Sequence, residues 1–255
     1  MKKTEEEFWS KFWQKVKLPE TVDLRFKNDR VIAENFLKYI PKASFDKRVL
    51  EIGCAPGKWL VLFNKELNYL ISGIEYVPIA ADKTVENFKI LNIPEEQYTM
   101  QKADFFTLQP NPIYDTVFSL GFIEHFDDWG AVLDKHLMYC KSNSYLVIGL
   151  PNFKGLNYYL QKFIDNHTTE TKLLPVHNLN VMSLDVLGKY AKERNLEIKM
   201  LSYIGGFERS LFNTNVGNMV TKLTLKSLVR ICAILFGKFN TKNTSSYIFG
   251  VFKVK

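Results

Sequence analysis

The stretch VLEIGCAPGKW, residues 49–59, places an apolar, strand-like run ahead of two glycines. Gly53 and Gly57 allow the backbone to bend sharply and to approach a ligand closely. A helix that begins after the second glycine would point free N–H groups at that ligand. The stretch therefore predicts a buried strand, a ligand-binding turn and a helix, in that order.

From this turn outward, the chain alternates between strand-like and helix-like patterns. Short apolar runs predict seven strands, at residues 48–53, 69–75, 97–104, 114–121, 144–151, 196–205 and 246–254. Helical spacing predicts helices at residues 29–39, 58–67, 79–91, 129–139 and 184–194. This alternation is typical of an α/β fold, so we expect a doubly wound, mostly parallel, seven-stranded sheet of the Rossmann-like type. In such sheets ligands bind at the carboxyl ends of the strands, where the glycine turn lies.

The composition predicts one globular domain. A chain of 255 residues with 46% hydrophobic residues can bury a single sizeable core. Glutamates at residues 5–7 interrupt the place where a signal peptide needs an apolar run, and no apolar run of about 18 residues occurs, so we expect a cytoplasmic protein. Cys54, Cys140 and Cys232 are odd in number and far apart in sequence. We therefore expect reduced thiols and no metal site.

The regions that break the alternation predict a cap. Within the single domain, 1–255, we take residues 47–151 as the core and expect three segments to cover the acceptor side, at residues 1–40, 152–180 and 206–244. In the first segment, one side of a helix over residues 8–16 carries the apolar residues Phe8, Trp9, Phe12, Trp13 and Val16. This helix either covers the core or forms a lid over a substrate.

The positive charge is concentrated near the C-terminus. The formal net charge is +7, and the chain after Glu208 contains eight basic residues and no acidic side chain. Lys222, Lys226 and Arg230 follow one another at four-residue intervals in an apolar helical stretch, residues 218–238. Either this helix covers the sheet or a dimer interface and turns its basic stripe to water, or it makes peripheral contact with an anionic membrane. An anionic substrate would also suit the charge.

The glycine turn distinguishes between three classes of ligand. A phosphate-binding P-loop needs four residues between its glycines and Ser or Thr after the Lys, whereas three residues intervene here and Trp59 follows Lys58. A dinucleotide fold prefers G-x-G-x-x-G, which this turn does not match. With Glu51, Gly53, Ala55 and Gly57, residues 47–151 resemble the class I methyltransferases that use S-adenosylmethionine (SAM). Ala55 stands where that family has its middle glycine, which narrows the gap beside the ligand.

The resemblance implies where SAM binds. In the family, an acid after the second strand accepts hydrogen bonds from the ribose hydroxyls, which Glu75 matches, and an acid after the third strand receives the adenine amino group, which Asp104 matches. Carboxylates and aromatic faces also suit a cationic sulfonium. The full set implied to contact the cofactor is Glu51, Gly53, Cys54, Ala55, Gly57, Trp59, Glu75, Tyr76, Asp104, Phe105, Leu120, Gly121 and Phe122.

Two histidines are candidates for a catalytic base. An oxygen acceptor must lose its proton, and His suits this task near neutral pH. His125 follows the fourth strand and is our first candidate, although a structural role as a helix-capping or core residue is equally compatible with its position. His177 would face the cofactor if the segment 152–180 folds over the site. We expect His136 and His167 to be structural.

The sequence thus predicts an enzyme that transfers a methyl group from SAM to a small or medium-sized acceptor, with S-adenosylhomocysteine (SAH) as the product. The resemblance points to a hydroxyl or amine of a sugar, of a cell-surface saccharide precursor or of a secondary metabolite. The sequences NPIY (residues 111–114) and LPNF (residues 150–153) do not follow the fourth strand, which argues against methylation of DNA bases. An RNA methyltransferase and a non-catalytic SAM-binding protein remain as alternatives. The oligomeric state stays open.

Overall fold

The computed structural model describes residues 6–255. Its centre is one seven-stranded sheet with the order β3-β2-β1-β4-β5-β7-β6. The strands are β1 (Arg48–Ile52), β2 (Leu70–Glu75), β3 (Tyr98–Lys102), β4 (Tyr114–Leu120), β5 (Cys140–Pro151), β6 (Glu197–Ile204) and β7 (Tyr247–Lys253). All neighbours pair in parallel except β7, which runs antiparallel to both β5 and β6. The predicted α/β fold and its mostly parallel sheet are confirmed.

Eight α-helices accompany the sheet in the described part of the chain. They are α1 (Glu6–Gln14), α2 (Lys27–Tyr39), α3 (Lys58–Leu67), α4 (Pro78–Ile90), α5 (Trp129–Leu137), α6 (Leu156–His167), α7 (Leu184–Glu193) and α8 (Met219–Phe236). Apolar residues of α2, α3 and α4 pack in one core cluster with alternate residues of the strands. Residues of α5 and α7 pack in a second cluster with the intervening strand residues. The sheet is therefore covered on both faces, as the continuous apolar strands require.

Two elements differ from the sequence-based expectation. Residues 152–180 were expected to be irregular, yet they contain α6. This helix joins a third apolar cluster, in which Leu160 and Ile164 pack with residues of α8 and of the segment 207–216. Strand β5 begins at Cys140, four residues before its apolar run, because Cys140 pairs with Tyr114 ahead of the irregularity in the β4–β5 ladder.

The N-terminal helix lies beside α4. It covers residues 6–14 instead of the predicted 8–16. The side chain of Phe8 and residues 1–5 lie outside the described residues. Trp9 packs edge-to-face against His125 at 5.3 Å between ring centroids, and Phe12 packs in the same way against Trp13 at 4.9 Å. The helix thus brings aromatic side chains to the carboxyl edge of the sheet.

Within the described part of the chain, no helix is both long enough and apolar enough to cross a membrane.

Candidate active site

The glycine turn after β1 has the conformation that only glycine adopts without strain. Gly53 has φ of +71° and Gly57 has φ of +84°. A Cβ atom at Gly53 would lie 2.8 Å from the Phe122 ring, and one at Gly57 would lie 2.6 Å from the Phe88 ring. Gly57 immediately precedes α3, so the free N–H groups of the first turn of that helix point into the turn. The turn therefore forms a cradle for a ligand that approaches the backbone closely.

The side chains of Glu51 and Cys54, on either side of Gly53, lie in different surroundings. Glu51 is 3% exposed, and its Oε2 atom has no hydrogen-bond partner, while burial raises the pKa of its carboxyl group well above the usual value. A buried acceptor without a partner suits a site that a polar ligand completes. Cys54 Sγ instead lies 3.7 Å from Met100 Sδ and close to Gly73 on β2. The Cys54 side chain is therefore part of the core, and only its backbone belongs to the turn.

Acidic residues follow the next two strands. Glu75, 5% exposed, ends β2, and its Oε1 atom accepts a hydrogen bond from the N–H of Val77 at 3.0 Å. Asp104 follows β3, and its Oδ1 atom accepts a hydrogen bond from the N–H of Phe106 at 2.9 Å. These bonds hold both carboxylates at the strand ends. Glu75, Asp104, Tyr76 and Phe105 line one narrow cleft together with Gly53.

Aromatic rings around Phe122 lie beside this cleft, and we call them the aromatic wall. The Phe122 ring lies 6.0 Å from Phe105, 5.0 Å from Phe126 and 5.9 Å from His136, measured between ring centroids. A second cavity of about 220 Å³ continues from the cleft, and the two share five lining residues: Gly53, Glu75, Tyr76, Phe122 and Phe126. The remaining walls of this cavity come from Trp9, Phe12, Trp13, Ala55, Leu120, Gly121 and His125. We call this space the aromatic cavity.

One of the predicted site residues lies elsewhere. Trp59 is 7% exposed and packs against Phe36 of α2 at 5.8 Å between ring centroids. It follows Gly57 by two residues, and the first turn of α3 directs it into the core beneath the cradle. The structure therefore does not bring its ring to the cleft.

Three polar side chains meet at the edge of the aromatic cavity. Glu124 is fully buried and neither of its carboxyl oxygens has a hydrogen-bond partner, while His125 and His177 lie with their ring centroids 4.7 Å apart. One possible ligand atom from each of the three lies within 4.8 Å of the others, so the set could hold a divalent cation or a shared proton. We call these residues the Glu-His-His cluster.

Hydrogen bonds fix the tautomers in this cluster. The Nδ1 atom of His125 donates to the carbonyl oxygen of Val176 at 3.0 Å, and that of His177 donates to the carbonyl oxygen of Leu173 at 2.6 Å. Because a carbonyl oxygen only accepts, Nε2 is the basic atom of each neutral ring. Burial lowers the pKa of His177 and raises the pKa of Glu124 to about 8. Near pH 7 the cluster therefore contains a neutral His177 and a protonated Glu124.

Comparison with known proteins identifies the family. Residues 24–200 match the family model of the methyltransferase domain. The match includes the glycine turn, both strand-end acids and the Glu-His-His cluster. The chain belongs to the methyltransferase-domain family. The predicted family and the prediction of an enzyme are confirmed. Comparison with curated protein sequences gives no significant match.

Solved structures share the fold of this methyltransferase at low sequence identity. Geranyl diphosphate C-methyltransferase from Streptomyces coelicolor A3(2), in complex with Mg²⁺, geranyl diphosphate and SAH, gives a TM-score of 0.64 at 10% identity, covering 98% of each chain. Phosphoethanolamine N-methyltransferase 2 from Haemonchus contortus, with SAM, gives 0.59 at 14% identity over 89% of this chain and 52% of that one. Coclaurine N-methyltransferase, bound to N-methylheliamine and SAH, gives a TM-score of 0.58 at 12% identity, covering 88% of this chain and 71% of that one.

Two features of the methyltransferase site could not be decided from the sequence. Glu124 directly precedes His125, but the sequence alone gave no sign that its carboxyl group is buried. Trp9 and Trp13 were predicted on one side of a helix that either covers the core or forms a lid, and the apolar stripe did not distinguish these alternatives; both residues line the aromatic cavity. In both cases the missing information was the position of a segment distant in sequence.

Proposed function

We propose that the chain transfers the methyl group of SAM to a hydroxyl or amine of a small or medium-sized acceptor and releases SAH. The observation that carries this proposal is that a glycine cradle and two strand-end carboxylates line a cleft continuous with the aromatic cavity. Two of the fold neighbours support it, because their complexes contain SAH together with a small molecule, geranyl diphosphate or N-methylheliamine. The finer acceptor class that we propose is a sugar, a saccharide precursor or a secondary metabolite.

The cofactor would bind across the narrow cleft. Glu75 would accept hydrogen bonds from the two ribose hydroxyls, which is a geometrically specific role for a carboxylate. Asp104 would receive the adenine amino group, with Phe105 and Tyr76 as walls for the adenine ring. The partnerless Oε2 atom of Glu51 fits a cationic group of the cofactor, since an ionic partner would restore the interaction that burial removes.

Methyl transfer from a sulfonium is an in-line displacement, so the protein mainly has to align the acceptor, the methyl group and the sulfur. Positioning of this kind can supply about 7 to 11 kcal/mol. Phe122, which forms part of both the cleft and the aromatic cavity, would face the sulfonium with its ring. The same ring excludes water from the path of the methyl group.

The acceptor would occupy the aromatic cavity. Trp9, Phe12 and Trp13 provide flat apolar faces on which a sugar or another ring can stack. Among the described residues that line this cavity none is Lys or Arg, so the lining supports a neutral acceptor portion better than an anionic one. We propose that residues 1–40 cap the cavity through Trp9, and that residues 152–180 support this cap through His177, which packs against His125 without lining the cavity. Residues 206–244 contribute no described residue to the lining.

We propose that His125 accepts the proton of the acceptor. Its ring lines the aromatic cavity, and its Nδ1–H bond to Val176 leaves Nε2 as the basic atom. The neutral ring of His177 lies beside it and would share the proton that His125 accepts. General base catalysis of this type typically contributes about 10² to 10⁴ in rate.

Methyl transfer is tested with SAM labelled in the methyl group and a panel of sugars, saccharide precursors and amines. We expect label in an acceptor with the unsubstituted protein and a kcat/KM for SAM that is roughly ten- to a hundredfold lower with Glu75→Gln. Label incorporated only into RNA, with steep salt dependence of binding, would contradict the proposal.

The role of His125 is tested by His125→Asn and His177→Asn. We expect kcat to fall by about 10² to 10⁴ in the first variant while the Kd for SAH stays unchanged. Activity should survive exhaustive treatment with a chelator. Loss of activity that added Mn²⁺ or Zn²⁺ restores would assign the cluster to a metal ion instead of a proton.

A further inference from the structure

Helix α8 presents a broad apolar surface to solvent. Beyond Met219 at its start, the apolar side chains between 44% and 82% exposed are those of Val220, Leu223, Leu228, Ile231, Ile234 and Leu235. Their spacing places them on one side of the helix. Proteins that remain monomeric rarely expose a continuous apolar patch larger than a few hundred Å². We call this side the outer face of α8.

The outer face of α8 is not part of the protein core. The inner side of α8 buries Leu225, Val229 and Cys232, which pack against α6 and the segment 207–216. None of the α8 residues belongs to the two clusters that cover the sheet. The alternative in which the apolar residues of this helix cover the sheet is therefore not what the structure shows. The outer face is an additional apolar surface.

Basic residues border the outer face. At 100° per residue, Lys222, Lys226 and Arg230 form a row along one edge of it, between the inner and outer sides. Beyond Glu208 the chain has no acidic side chain to neutralise them. Two copies of α8 packed face to face and antiparallel would bring their basic rows to the same edge, where like charges repel. A partner complementary to the outer face and its basic row needs an apolar interior and an anionic boundary. An anionic bilayer has this arrangement, with its hydrocarbon below its headgroups.

The position of α8 is fixed relative to the site. The N–H of Phe207 donates to the carbonyl oxygen of Phe236 at 3.3 Å, and the ammonium group of Lys27 at the start of α2 donates to the carbonyl oxygen of Gly237. The C-terminal end of α8 is thereby attached to the same region as α2, which packs beside the glycine cradle through α3. A surface that holds α8 would hold the catalytic domain in one orientation.

From this surface we infer that the protein binds peripherally to anionic membranes, with α8 lying in the plane of the interface. The outer face enters the boundary between headgroups and acyl chains, and the basic row contacts lipid phosphates. This inference does not depend on methyl transfer.

The test is co-sedimentation of the full chain with phosphatidylcholine vesicles that do or do not contain phosphatidylglycerol. We expect binding only to the anionic vesicles. The double variant Ile231→Asp/Ile234→Asp should lose at least about tenfold in affinity, since two isoleucines that would enter the bilayer become charged. The triple variant Lys222→Gln/Lys226→Gln/Arg230→Gln should lose roughly fivefold for each residue, hence about a hundredfold.

A matched control is Ile90→Asp, which places the same charge at a 44% exposed isoleucine on α4 and should leave vesicle binding unchanged. Folding of each variant is checked by its melting curve and by SAH binding. If the unsubstituted protein stays in solution with anionic vesicles, the inference is wrong. A dimer in sedimentation velocity that Ile231→Asp/Ile234→Asp dissociates would assign the outer face to a second copy and would also overturn it.

Discussion

The variant His136→Gln is expected to lose less stability in acid than the unsubstituted protein. His136 is fully buried under the aromatic wall, 5.2 Å from the Phe105 ring. Its Nδ1–H donates to the carbonyl oxygen of Val132 at 2.8 Å, and its Nε2 accepts from the hydroxyl of Ser119 at 3.0 Å. Both bonds suit the neutral ring. A second ring proton would remove the acceptor that Ser119 uses.

The magnitude follows from the shift in pKa. Burial lowers the pKa of His136 from 6.5 to about 4. Between these values the unfolded chain binds a proton that the folded protein does not, so stability is complete above pH 6.5 and falls as the pH drops towards 4. At 1.36 kcal/mol for each pKa unit, this difference corresponds to about 3 kcal/mol. Glutamine does not titrate and removes this contribution.

The assay is urea unfolding of both proteins at several pH values between 4 and 7. The difference in the free energy of unfolding between the variant and the unsubstituted protein should shift by about 3 kcal/mol in favour of the variant as the pH falls across this range. Ser119→Ala retains the imidazole and should keep the steep dependence. Parallel curves for His136→Gln and the unsubstituted protein would refute the reasoning.

Two further predictions concern the cradle and the core. Gly57→Ala should destabilise the protein by more than about 1 to 2 kcal/mol and weaken SAH binding, because φ is +84° and the new Cβ would lie 2.6 Å from Phe88. Urea unfolding measures the loss of stability and calorimetry measures the affinity for SAH. Unchanged affinity would contradict this prediction. Phe36→Ala should lower the free energy of unfolding by about 3 to 5 kcal/mol, because the fully buried ring of Phe36 contacts Phe63, Phe118 and Phe249. A loss under about 1 kcal/mol in urea unfolding would argue against this packing.

Local patterns were sufficient to predict much of the fold. Helix α3 has the predicted bounds, 58–67, since Gly57 fixes its start and its apolar spacing ends at Leu67. Most of the strands were predicted because they carry an apolar run of their own between turn residues. The placement of Glu75 and Asp104 in one cleft also followed, because parallel neighbouring strands end at the same edge of a sheet.

Contacts between distant segments could not be predicted in the same way. The sequence placed His177 in the segment 152–180, and hydrogen bonds between distant residues bring that segment to His125, among them those from the N–H of Asn178 to the carbonyl oxygen of Glu124 and from His125 Nδ1 to Val176. Helix α6 was missed because tertiary packing against α8 stabilises it. Trp59 was placed near the cofactor by proximity in sequence, whereas the direction of its side chain depends on how α3 packs against α2.

The most direct test of the proposed cofactor site is titration calorimetry of SAH into the unsubstituted protein and Glu75→Gln. Glutamine can still accept the hydrogen bond from Val77, so the fold is kept while the charge that would hold the ribose hydroxyls is lost. We predict measurable binding to the unsubstituted protein and a loss of about 1.5 to 3 kcal/mol in Glu75→Gln. Glu66→Gln, at an exposed position on α3, should bind normally. No heat with SAH, or equal affinity in Glu75→Gln, would contradict the account.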